Sequence, residues 1–241
     1  MSFSERVRAA FRRGETDAVV RMSLAEIDRA QAVGDLAGVV EARYALARVA
    51  IRGGDLPGGA ARAQEALEVA VRSGDRALEE RPRHVLAAVA RMSGDLARAR
   101  ELYRESIALN EALDQPKTVN SEYHNLAFCE LGLGNVEQAR ALFAAGRERV
   151  FAHGWDDFVP YVCVAGAALA SAEGDHGRAA RMVGTADSAF AELGQVPDPD
   201  DAADLDAVRV AAIEALGAAD FAARYEHGRE LDARTAFAAQ A

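Results

Sequence analysis

Residues 121–146 read SEYHNLAFCELGLGNVEQARALFAAG, and the fold is decided there. Leu126 with Glu130, and Ala139 with Phe143, stand four residues apart, the spacing that sets two side chains on one helix face. Between the pairs lies Gly134-Asn135, whose residues both tolerate the left-handed backbone that ends a helix. The stretch predicts a helix, a tight turn and a second helix.

The rest of the chain repeats this pattern. Glycine recurs at positions 14, 54, 94, 134 and 174, and a second series halfway between holds Gly34, Gly74, Asp114, Gly154 and Gly194. A turn at each of these positions leaves about sixteen residues per helix, a rod of roughly 24 Å at 1.5 Å per residue. The hairpin resembles a tetratricopeptide repeat. Tyr123, Leu126, Ala127 and Glu130 stand at the offsets of W-x2-L-G-x2-Y, and Ala139 and Phe143 supply the A-x3-F half. The spacing is longer than the ~34 residues of the standard repeat.

The resemblance implies an all-α fold, an α-solenoid of tetratricopeptide-like hairpins. Residues 1–34 read as an N-terminal hairpin cap, 35–194 as four hairpins and 195–241 as a C-terminal helical cap, one continuous body. The first helices are expected over 3–13 and 17–33. Pro82 places the start of its helix between Glu80 and Pro82, or bends the helix there. LPGG at 56–59 predicts a loose, mobile helix start. In the fifth repeat Gly166 takes the slot that holds Leu46, Leu86 and Leu126 in the others. After the linker VPDPDD at 196–201, helices are expected over about 201–216, 218–227 and 231–240.

Composition removes several classes of function. Lys+Arg 28 against Asp+Glu 38 gives a formal charge of −10, which argues against direct nucleic-acid binding. Lys117 is the only lysine, and that arginine bias with abundant alanine fits a GC-rich bacterial coding sequence. Cys129 and Cys163 form no metal-ligand spacing and read as small core residues in a reducing compartment. With no signal-peptide pattern and no apolar run near the ~18 residues of a membrane span, a cytoplasmic location is expected.

Two segments carry a further resemblance. ALASAEGDHGRAARMVGTADSAFAELG at 168–194 contains G-D-x-x-R-A-A-R, from Gly174 to Arg181. DFAARYEHGRELDARTAFAAQA at 220–241 contains F-A-A-x-x-x-x-G-R-x-L, from Phe221 to Leu231. Together they resemble the C-terminal repeats of MalT-like LuxR regulators and of actinobacterial antibiotic regulatory proteins. In that family the repeat domain senses a ligand or partner and restrains an ATPase and a helix-turn-helix. Neither a G-x-x-x-x-G-K-[ST] loop nor a spare segment for a helix-turn-helix is present, so the resemblance implies the scaffold.

In a tetratricopeptide stack the first helix of each hairpin lines the concave surface. The forty-residue phase then aligns Tyr44, His84, His124 and Val164; Glu41, Arg81, Ser121 and Tyr161; and Arg48, Ala88, Phe128 and Ala168. The candidate groove residues are Tyr44, Arg48, Arg81, His84, Arg91, His124, Asn125, Phe128 and Tyr161. His84 and His124 could share a ligand, but no third metal ligand follows at a useful spacing. No catalytic residues, metal or cofactor are assigned. The expected function is a non-catalytic binding module that holds a partner peptide or protein, in bacterial regulation. One alternative is a sensor of a small anionic amphipathic ligand, its anionic end near Arg48, Arg81 and Arg91 with only Glu41 opposing them. Another is an enzyme using the groove histidines. A homodimer is left open.

Overall fold

The computed structural model describes residues 1–239; the ends of the expected last helix and cap, at 240 and 241, lie outside the described residues. Among the described residues there are thirteen α-helices and no strand. They are α1 (Phe3–Arg12), α2 (Thr16–Val33), α3 (Leu36–Arg52), α4 (Leu56–Ser73), α5 (Glu80–Met92), α6 (Leu96–Ala112) and α7 (Pro116–Gly132). There follow α8 (Val136–His153), α9 (Val159–Ala172), α10 (His176–Glu192), α11 (Pro199–Leu216), α12 (Ala218–Arg229) and α13 (Ala233–Ala238). The chain forms two compact units, Met1–Cys129 and the residues from Glu130 onward.

The turns obey the twenty-residue lattice at the level of the backbone. Gly14, Gly34, Gly54, Gly74, Gly94, Gly134, Gly154, Gly174 and Gly194 all take positive φ, between 61° and 82°. Asp114, the one lattice position without glycine, takes φ 53° and is the only non-glycine with positive φ among the described residues. An L-residue in the left-handed region costs roughly 1–2 kcal/mol, less for aspartate, and glycine forfeits part of the gain through its unfolded-state entropy. Asp114→Gly is therefore expected to raise the unfolding free energy by up to ~1 kcal/mol, read as a higher urea midpoint. A lowered midpoint would show that the Asp114 side chain secures the turn.

In the first unit α1, α3 and α5 lie side by side, with α2, α4 and α6 packed behind them. Small side chains fill the junctions. Phe11, Val19 and Ala45 meet at the first, Ala30, Val40 and Ala66 at the second, and Ala47, Ile51, Ala63 and Val85 at the third. The LPGG segment is not the loose start expected of it. Asp55 caps α4 by accepting from the Gly58 N–H at 2.8 Å, and a Cβ on Gly59 would stand 2.7 Å from Ile51 Cγ1. Gly59 allows α3 and α4 to close on each other, and Gly58 leaves room for the Asp55 cap. Pro82 falls in the first turn of α5, as its sequence position predicts, with a short 3-10 turn at Arg76–Glu79 ahead of it.

In the second unit α8 packs on α9 and α9 on α10; α11 then covers α9 and α10. The hairpin order ends there. Helix α12 returns to α10, and α13 lies on α9 and α10. The α10–α12 crossing is unusually close: a Cβ on Gly184 would stand 2.1 Å from the Tyr225 carbonyl oxygen, and one on Gly228 2.0 Å from that of Arg181. Thr185 Oγ1 donates across it to the Gly228 carbonyl at 2.9 Å. Leu126 and Phe143, the anchors of the quoted hairpin, are 5% and 8% exposed. Asn135 Nδ2 donates to Glu130 Oε2 at 2.7 Å, which ties the turn to the carboxylate of the consensus slot.

Candidate functional site

Helices α3 and α5 carry a strip of polar side chains on their shared face. The forty-residue phase that aligns Glu41 with Arg81 is realised as a direct ion pair between them, and Arg81 also approaches Glu80 at 3.7 Å. The Tyr44 ring lies under two guanidinium groups, those of Arg48 and Arg81, each 5.6 Å from its centroid. Such stacking orients a cation without cancelling its charge.

Helix α1 closes one end of the strip. Its Phe11 ring is held between Arg48 and Arg52, whose guanidinium carbons lie 3.8 and 3.9 Å from the centroid. Ser4 Oγ donates to Glu41 Oε2 at 3.0 Å. The hollow left among α1, α3 and α5 measures only about 20 Å³. That is room for about one water, so a ligand has to lie on the strip, not within it.

At the other end His84 Nδ1 donates to Glu122 Oε1 at 2.9 Å. Burial pulls the imidazole pKa down, but the Glu122 carboxylate, helped by Glu80, more than reverses this and raises it to about 10. His84 is therefore a cation at neutral pH, and its ring meets the buried Tyr103 edge-on, with centroids 6.3 Å apart. Burial pushes the Glu80 carboxyl above its ordinary range, against the opposing pull of His84 and Arg81. Glu122 is fully buried, and its second oxygen, Oε2, has no hydrogen-bond partner among the described residues.

Charge on the strip thus differs from the expectation of arginines opposed by Glu41 alone. Glu80 and Glu122 join it, and the strip alternates in sign. Of the two extra carboxylates, only Glu122 was detectable in the sequence. The column Ala42, Pro82, Glu122, Val162 is buried and otherwise apolar; the column Val40, Glu80, Asn120, Pro160 combines buried apolar residues with polar ones. A glutamate in an apolar column is the signal.

The remaining candidate residues are divided between roles. Tyr44, Arg48, Arg81 and His84 are half-buried and reachable from solvent. Arg91, His124, Asn125 and Phe128 are between 6% and 9% exposed, so they are interior rather than lining. Arg91 stacks on Phe128 at 4.8 Å, His124 meets the same ring edge-on at 5.0 Å, and Asn125 Nδ2 donates to the Ser121 carbonyl. Tyr161 belongs to the second unit, where it packs against Phe158 and Phe190. Cys129 and Cys163 are buried free thiols, and burial lifts Cys163 to about 12, far from a reactive thiolate. Among the described residues no three His, Cys, Asp or Glu side chains gather as a metal site, and no helix is long and apolar enough to cross a membrane.

Comparison with solved structures agrees with this architecture. The chain is similar to BtubC (BKLC) from P. vanneervenii, with TM-score 0.60 and 18% identity over 94% of this chain and 93% of that one. It is also similar to a Rap protein complexed with competence and sporulation factor, with TM-score 0.70 and 15% identity. That match covers 98% of this chain but spans only 64% of the Rap chain. At these identities the likeness is one of fold: an all-α, tetratricopeptide-like helical repeat. No protein-family model and no curated protein matches the sequence.

Proposed function

We propose that the protein is a non-catalytic binding module that holds a segment of a partner protein along the α3–α5 strip of its first unit. The observation that carries this reading is the strip's mixture of fixed charge and aromatic surface. Arg81 is held by Glu41, and His84 by Glu122, around the half-buried Tyr44 ring. Ion pairs already formed in the free protein leave little side-chain entropy to be lost on binding. Alternating charges set the register and direction of a bound segment more than its affinity, and the aromatic ring is the natural anchor.

The Rap neighbour, solved with competence and sporulation factor, supports a binding role for this kind of scaffold. The resemblance of residues 168–194 and 220–241 to the repeat domains of bacterial regulators supports a regulatory setting. An occupant of the strip is expected to carry charges of both signs, because a purely anionic one would meet Glu41 and Glu80.

Selection of peptides on the full chain from a random displayed library tests the reading, followed by affinity measurement with fluorescent peptides. Tyr44→Ala and Arg81→Ala are each expected to weaken the selected peptides roughly tenfold or more, a loss typical of an interface anchor. Arg140→Ala, in the second unit, should leave them unchanged. Peptides that bind all three variants equally would move the site off the strip.

A further inference from the structure

The second unit contains a half-open pocket of about 310 Å³ lined by α8, α9, α10 and α13. Its origin is visible in the repeat register. Leu46, Leu86 and Leu126 fill the consensus slot of the other repeats, and Gly166 puts no side chain of its own there in α9. Phe237 of α13 enters part of the space: a Cβ on Gly166 would stand 2.9 Å from both Phe237 Cε1 and Met182 Cε. The remaining volume is at the small end of the ~300–1,000 Å³ range of ligand pockets.

The walls are of two kinds. Phe143, Leu169 and Phe237 supply apolar surface, and Arg140, Arg147 and Arg178 face a single carboxylate, Glu173. Arg140 is engaged by Glu137 at 2.5 Å and Glu173 at 2.9 Å. Arg178 reaches Glu173 only at 3.8 Å, and its buried Nε has no hydrogen-bond partner among the described residues. Arg147 has no ion pair among the described residues; its guanidinium lies 4.5 Å over the Phe237 ring. Burial, together with the neighbouring charge of Arg178, lowers the Arg147 pKa, although a guanidinium stays charged at neutral pH. One guanidinium without an ion pair, Arg147, and a second held only loosely, Arg178, thus border a partly apolar hollow, in a protein whose formal charge is −10.

We propose that this cavity binds a small amphipathic carboxylate, a short acyl or arylalkyl acid, with its carboxylate on Arg147 and Arg178 and its tail against Phe143, Leu169 and Phe237. The fork of donors on a guanidinium matches the two oxygens of a carboxylate. The apolar wall selects against a bare inorganic anion. The site is separate from the peptide strip and does not depend on it.

Titration calorimetry and ligand-detected NMR on the full chain test the assignment, with octanoate as the probe and 1-octanol and inorganic phosphate as controls. Octanoate is expected to bind one saturable site, with both controls at least tenfold weaker. Arg147→Leu and Arg178→Leu should each weaken octanoate roughly tenfold or more, the range of a hydrogen bond to a charged group. Gly166→Leu restores the consensus leucine and should abolish binding; if it fails to fold, the arginine variants decide. Absence of saturable octanoate binding overturns the proposal. So does equal binding of octanol or phosphate, or unchanged affinity in both arginine variants.

Discussion

Glu122→Ala is expected to lower the unfolding free energy by about 3 kcal/mol at neutral pH, the lower end of the loss when one partner of a buried ion pair is removed, since His84 keeps contact with solvent. Glu122 is fully buried, and its removal leaves His84 with the desolvation that already opposes its charge. Replacing both partners, His84→Leu with Glu122→Leu, should cost less than the single change, because no ring nitrogen is left without its hydrogen-bond partner. The same pair sets a pH dependence. The folded pKa of His84, about 10, stands above its ordinary 6.5, so its stabilisation is complete below about pH 6.5. It is lost progressively as pH rises towards 10. Urea unfolding of the wild type should therefore show falling stability across that window, and Glu122→Ala should show a flatter profile. Parallel pH profiles, or a near-neutral Glu122→Ala, would show that the pair is not a charged one.

Gly228→Ala is expected to destabilise the protein by about 3 kcal/mol, the upper end of an overpacking cost. The sign is what makes the experiment informative. Gly228 lies in the last turn of α12, where replacing glycine by alanine normally gains part of the ~1 kcal/mol seen in a helix interior. Here the new methyl would stand 2.0 Å from the Arg181 carbonyl oxygen, a backbone atom that no rotamer change can move aside. Steric cost wins only if α10 and α12 are in direct backbone contact. Gly184→Ala should behave alike, since its methyl would meet the Tyr225 carbonyl oxygen at 2.1 Å. Chemical denaturation of both variants checks the contact; stabilisation by either would mean that the helices stand further apart.

That crossing also joins two segments quoted from the sequence. G-D-x-x-R-A-A-R ends at Arg181, and F-A-A-x-x-x-x-G-R-x-L contains Gly228, whose Cα faces the Arg181 carbonyl. The matched residues meet each other.

Much of the fold was legible because it is written in local backbone chemistry. Positive φ is nearly free for glycine and costly for other residues, so a lattice of turns has to appear as a lattice of glycines. Only Asp114 breaks it, and it adopts the same conformation. The start of α5 near Pro82 follows from the same kind of rule, since proline has no N–H to donate. Pairing across helices was legible only where the repeat carries it, as for Glu41 with Arg81 one period apart.

Tertiary structure alone decided what fills the spaces between helices. The sequence shows a glycine at 166 and at 228, but not that Phe237 enters the first gap or that the Arg181 carbonyl occupies the second. It shows His84 and Glu122 without joining them, because they lie 38 residues apart, off the period, and meet through the separation of two helices. Helical periodicity fixes which face a side chain is on; the distance between faces is set by the volumes of all the side chains packed there, and no spacing along the chain records it.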